Sequence, residues 1–141
     1  MTMQEPALTT TRELCGLVGE LSRQIGDHLR ERAGRLGLTA AQGTALRELT
    51  GPMTMRELSG RMGCEPSNAT FIVDKLEALG LLERRPHPSD RRAKQLVLTP
   101  EGAALREKLM ALLVRDSPLA ELSTQEQAQL HDLLSRAVLP R

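Results

Sequence analysis

A chain of 141 residues with 40% hydrophobic and 26% charged residues has the balance of one folded domain, or of a compact domain with helical extensions, which excludes a disordered chain. The net charge of +1 means that bulk charge announces no nucleic-acid partner, so any such partner needs a local cluster of cations. No apolar run approaches the roughly 20 residues that cross a bilayer, and Met1–Thr10 lacks the cationic start and apolar stretch of a secretory signal. The expected location is therefore cytoplasmic and away from membranes, with Cys15 and Cys64 reduced. One Phe, no Tyr and no Trp leave the core to Leu, Val, Ile, Met and Ala.

In chain order, Leu14, Leu17, Val18, Leu21, Ile25 and Leu29 recur three or four apart, which predicts a long amphipathic helix from about Thr11 to Leu36. Three capping boxes follow. Thr39-Ala40-Ala41-Gln42 opens a helix carrying Ala45, Leu46 and Leu49, closed by Gly51-Pro52. Thr54-Met55-Arg56-Glu57 opens a short helix that stops at Gly63, and Ser123-Thr124-Gln125-Glu126 opens the last one. Pro66 suits a first helical position, from which a helix runs to about Leu79, with Phe71, Ile72, Leu76 and Leu79 expected inward and Gly80 as its stop.

Beyond Gly80 the period changes. Residues 81–85 and 93–98 read as two strands around the turn-rich, basic segment Pro86-His87-Pro88-Ser89-Asp90-Arg91-Arg92. Thr99-Pro100-Glu101 caps a helix carrying Leu105, Leu109, Leu112 and Leu113. The fold class is mainly α with a small β-hairpin.

Residues 54–62, the Gly63-Cys64-Glu65 connection and residues 66–79 have the form of a helix-turn-helix, whose second helix offers its N-terminal residues to base edges in a major groove. Ser67, Asn68 and Thr70 are the short polar side chains there, Asn68 being able to pair bidentately with adenine. Lys75 suits a phosphate or solvent. Ser67 and Thr70 equally serve to satisfy local backbone groups, and helix pairs joined by Gly are common. The hairpin adds weight: Arg84, Arg85, Arg91, Arg92 and Lys94 face Asp90 as the one acid between them, a local footprint for phosphates or a minor groove. The plainer reading is an edge strand charged against aggregation.

Leu76-Glu77-Ala78-Leu79-Gly80-Leu81-Leu82-Glu83-Arg84, Asp90-Arg91-Arg92-Ala93-Lys94 and Leu98-Thr99-Pro100-Glu101-Gly102 resemble the MarR family of bacterial transcription regulators over roughly residues 11–138. The resemblance implies a winged helix-turn-helix with N- and C-terminal dimerisation helices, in a triangular homodimer that binds palindromic double-stranded DNA, usually as a repressor. It divides the chain into an N-terminal dimerisation helix (1–36), a DNA-binding region (37–100) and C-terminal dimerisation helices (101–141). It implies that residues 66–79 form the recognition helix, that Arg92 probes the minor groove, and that Asp90 orients Arg91 and Arg92 by a salt bridge, with Lys94 beside them. Leu14, Leu17, Leu21, Leu119, Leu122, Leu130, Leu133 and Val138 become the candidate dimer interface, some of them packing within their own protomer instead.

Relatives of this kind release DNA on binding a small phenolic or anionic effector, or on cysteine oxidation. Cys15 and Cys64 are the candidate redox sensors, Cys64 standing just before the recognition helix. A lone cysteine is as readily a small core filler. No Cys/His spacing resembles a zinc site, and no nucleophile motif or phosphate loop is present, so neither a metal, a cofactor nor an enzymatic activity is expected. A winged-helix module that binds only protein is the rival reading, and the arginine-rich hairpin argues against it. A small hydrolase has no residue constellation behind it.

Overall fold

The computed structural model describes residues 4–139; residues 1–3 and 140–141, the outer ends of the two terminal segments, lie outside it. The elements are α1 (Gln4–Arg35), α2 (Ala40–Glu48), α3 (Met55–Met62), α4 (Pro66–Ala78), β1 (Leu82–Pro86), β2 (Lys94–Leu98), α5 (Pro100–Val114) and α6 (Thr124–Ala137). The chain is thus mainly helical with one antiparallel hairpin. It divides into two compact units: one built from residues up to Ile25 together with those from Val114 onward, the other from Gly26–Leu113.

α1 starts seven residues before the expected Thr11. The apolar period that signals the helix begins at Leu14, but Pro6 sits in the first turn, where a missing N–H breaks no intrahelical bond. α2, α3 and α6 each begin with the reciprocal capping box their sequences suggest, at Thr39, Thr54 and Ser123. α3 ends on Gly63 at φ 66°, a left-handed conformation that a Cβ would strain.

In the Gly26–Leu113 unit one aliphatic cluster joins Leu29 of α1, Leu46 of α2, Leu58 of α3, Val73 and Leu76 of α4, Leu82 and Leu96 of the hairpin and Leu109 of α5. The hairpin pairs Leu82 with Leu98 and Pro86 with Lys94 at its two ends. Both strands start one residue later than expected. Met53 adds a bridge the sequence did not signal, exchanging two backbone hydrogen bonds with Leu96 and tying the α2–α3 connection to β2.

Basic side chains close helix ends in this unit. Arg106 donates to the carbonyls of Leu46 (2.8 Å) and Arg47 (2.9 Å), and His28 Nε2 donates to the Leu113 carbonyl at 2.9 Å. Each supplies a partner to a C-terminal carbonyl that the helix leaves open. On the exposed face of α1, hydrogen bonds from Arg23 and Gln24 hold the Glu20 carboxyl below the usual carboxylate range, and Arg32 and Arg35 do the same for Glu31.

The other unit carries the N-terminal part of α1 with α6, and α6 has no buried residue. Leu14, Leu17, Val18, Leu21, Ile25, Leu130 and Leu134 line an apolar groove of about 380 Å³ in it. Leu119, Leu122 and Leu130 are half-buried. Leu14 (56%), Leu17 (68%), Leu133 (57%) and Val138 (70%) stay largely exposed.

Candidate nucleic-acid interface

α4 buries Ala69, Val73 and Leu76. At 3.6 residues per turn, positions 67, 71, 74, 75 and 78 lie on the opposite side. Ser67, Asn68, Thr70 and Lys75 are all exposed. The side chains of Ser67 and Asn68 have no partner among the described residues, whereas the Thr70 hydroxyl donates to the Pro66 carbonyl at 2.9 Å, keeping only its acceptor capacity for anything outside. Glu65, at the N-cap, makes no side-chain capping bond, so the first backbone N–H groups of α4 are not covered by it.

Two side chains expected inward prove to be outside. Phe71 is 63% exposed and Leu79 58%. Leu79 is the C-cap, beyond the last helical turn. Phe71 lies diametrically away from the Val73 face, because an apolar run of Phe71-Ile72-Val73 has to place one member outward on a helix. Lys75 Nζ sits 5.3 Å above the Phe71 ring centroid, within cation–π reach.

The hairpin sorts its cations into two groups. Leu82 and Arg84 share one face of β1, as strand alternation requires, and Arg84 reaches Asp74 Oδ1 (2.6 Å) and Glu77 Oε1 (3.0 Å) on α4. Arg85 pairs with Glu83 two residues back at 2.9 Å. Arg84 and Arg85 are therefore locally neutralised, and Arg84 fastens the hairpin to α4 instead of serving an outside anion. Arg91, Arg92 and Lys94 are exposed and have no carboxylate partner among the described residues.

The tip differs from expectation at Asp90. Its carboxylate accepts the Arg92 backbone N–H at 3.0 Å and forms no salt bridge with either arginine. A side chain two residues before a turn amide closes an Asx-type turn at little entropic cost, and that geometry holds the carboxylate at the backbone. His87 organises the tip from within: its Nδ1 accepts from the backbone N–H groups of Ser89 and Asp90, both at 3.1 Å. The tip is thus a folded loop presenting Arg91 and Arg92 outward. Two further features belong to the site. Arg56, exposed on α3, lines with Thr70, Arg84 and Lys94 a cleft of about 400 Å³ between helix pair and hairpin. Asp74 and Glu77, acids three apart on one face of α4, were the available signal for the Arg84 clamp.

Cys15 is exposed on α1. Cys64 is half-buried and lines a groove of about 550 Å³ with Thr39, Gln42, Met62, Asn68, Phe71 and Lys75, among others. Among the described residues no group of three or more His, Cys, Asp or Glu side chains converges as a metal site, and no helix is long and apolar enough to cross a membrane.

A brace helix, a short turn at Gly63, an outward-facing second helix and a fastened basic hairpin together define a winged helix-turn-helix. The MarR family pattern matches residues 38–94. The chain belongs to the MarR family, which is one of transcriptional regulators and not of enzymes. The crystal structure of transcriptional regulator PA3341 is similar at TM-score 0.77 and 32% identity, over 88% of this chain and 94% of that one. A cysteine-to-serine mutant of MarR from Escherichia coli, complexed with operator DNA, is similar at TM-score 0.71 and 28% identity, over 90% and 94% of the two chains. The transcriptional repressor MdtR of Bacillus subtilis is 33% identical over 93 residues, 64% of this chain. The matched region spans 58%, 57% and 60% of the length of three such Bacillus subtilis relatives.

Proposed function

We propose that this protein is a cytoplasmic homodimeric repressor that binds a palindromic operator, with α4 in the major groove and the hairpin tip at the adjacent minor groove. The observation that carries the reading is the sorting of the cations: Arg84 and Arg85 are paired internally, whereas Arg91, Arg92 and Lys94 stand exposed without a carboxylate partner among the described residues. Such side chains on a protein of net charge +1 suit phosphates, and their cost in self-repulsion is otherwise unexplained. Ser67 and Asn68 on the same unit supply the hydrogen-bonding groups that base edges need. The operator complex of Escherichia coli MarR supports the same mode of use for this fold.

The dimer is supported by the exposed Leu14, Leu17, Leu133 and Val138, an apolar surface that a soluble monomer rarely leaves uncovered. Two protomers related by a two-fold axis present two recognition helices to successive grooves. Release follows a small effector or the oxidation of a thiol, for which Cys15 offers accessibility and Cys64 proximity to α4.

The test is fluorescence anisotropy on the DNA upstream of the protein's own gene across a salt series. Three phosphate-facing cations per protomer give a log Kd against log salt slope of magnitude about 5 for the dimer, and Arg92→Ala lowers it by about 2. Absence of binding, or binding that neither salt nor Arg92→Ala alters, refutes the reading.

A further inference from the structure

Phe71 is the chain's one Phe, in a sequence without Tyr or Trp, and it stands on the outer face of the helix-turn-helix, 63% exposed, instead of in the core. A single exposed apolar side chain is ordinary on a protein surface. The position of this one is not. It stands one turn beyond Ser67 and three residues after Asn68, on the side of α4 directly away from the buried Ala69, Val73 and Leu76. Its polar neighbours Ser67 and Asn68 have no internal partners among the described residues. Lys75, one turn further, holds its ammonium over the ring and orients it.

A major groove offers base edges almost wholly made of hydrogen-bond donors and acceptors, with one apolar group among them, the 5-methyl of thymine. Within the protein the ring borders the groove it lines with Met62 and Cys64, and on the DNA side the thymine methyl is the apolar group open to it. Three residues along a helix advance it by about 4.5 Å, between one and two of the roughly 3.4 Å steps separating successive bases of one strand. Asn68 and Phe71 are therefore spaced to meet neighbouring base steps. Resting on the proposed entry of α4 into the major groove, we infer that Phe71 is a specificity-determining residue that packs on the 5-methyl of one thymine in each operator half-site. Asn68 supplies the hydrogen-bond discrimination at the adjoining step, and Lys75 keeps the ring in place.

Replacing thymine by uracil in the DNA removes the methyl and leaves every hydrogen-bonding group unchanged. A duplex enriched by the wild-type protein from a random library is resynthesised with single thymine-to-uracil replacements, and binding is followed by anisotropy. One symmetry-related thymine in each half-site is expected to respond, with about four-fold weaker binding for one replacement and about fifteen-fold for both. Phe71→Ala is expected to bind the parent duplex correspondingly more weakly and to lose the thymine–uracil distinction, while Phe71→Leu keeps part of it. Because the ring is exposed, both variants should keep the wild-type helicity and melting temperature, which circular dichroism checks. The assignment is overturned if no single replacement weakens wild-type binding, or if Phe71→Ala still distinguishes the two bases. A protein that enriches no sequence refutes operator binding itself and this inference with it, whereas binding without methyl discrimination refutes the Phe71 assignment alone.

Discussion

Replacing Gly102 by alanine should destabilise the folded protein by about 2–3 kcal/mol, although it changes a residue in a helix to a better helix former. Gly102 is buried in the first turn of α5, and a Cβ there would collide with the carbonyl oxygen of Leu81 and lie 2.9 Å from its carbonyl carbon. The obstacle is backbone, so it has no rotamer by which to move aside. Relief requires α5 to part from the segment before β1, where Thr99 N–H donates to the Leu81 carbonyl (3.1 Å) and the Thr99 hydroxyl to the Gly80 carbonyl (2.7 Å). Losing these two bonds costs about 1 kcal/mol each. Residual overpacking adds about 1–2 kcal/mol, and the propensity gain returns about 1 kcal/mol. Urea unfolding followed by far-UV circular dichroism at fixed protein concentration measures the difference, which corresponds to a fall in Tm of about 10 °C. Gly60→Ala is the control: nothing lies within 4 Å of a Cβ at that exposed position of α3, so it should be neutral or stabilise by up to about 1 kcal/mol. A Gly102→Ala protein within about 0.5 kcal/mol of wild type would refute the close-approach reasoning.

Leu17→Glu should dissociate the proposed dimer, because a carboxylate replaces an exposed leucine at each side of a surface meant to be buried. The dimer Kd in sedimentation equilibrium is expected to rise at least about a hundred-fold, and an unchanged Kd would place the interface elsewhere. Arg84→Ala should cost about 1–2 kcal/mol, more than Arg91→Ala, since Arg84 bridges two acids of α4 and Arg91 has no such partner among the described residues. A double-mutant cycle with Asp74→Ala is expected to give a coupling of about 0.5–1 kcal/mol, and additivity would show that the clamp does not hold the hairpin.

Much of this molecule is local in origin, and local features are legible in a sequence. Three capping boxes, Pro66, Gly63 and the shift in hydrophobic period at Gly80 place helix starts and the hairpin because each depends on residues within a few positions of one another. The basic tip and the polar start of α4 are equally visible, since both are contiguous. Where one pattern admits two orientations, the sequence leaves the choice to packing. Phe71-Ile72-Val73 is apolar throughout, so periodicity alone did not reveal which member faces out. The apolar stripe marks the long helix only from Leu14, and Gln4–Thr10 extend it without continuing that stripe strongly.

Residue types and short spacings thus marked two short helices followed by a basic hairpin and named the polar and basic candidates, while the likeness of three stretches to the MarR family supplied the winged helix-turn-helix. Which of those candidates are available was settled by tertiary contacts. Arg84 reads like Arg91 in the chain, yet strand pleating turns it toward Asp74 and Glu77, acids brought near only when the hairpin folds back on α4. Asp90 likewise bonds a backbone amide instead of a guanidinium, because the turn at the tip brings the Arg92 N–H within its reach. Sequence reports which charges exist; whether a charge is already satisfied depends on groups distant along the chain, and only packing brings those together.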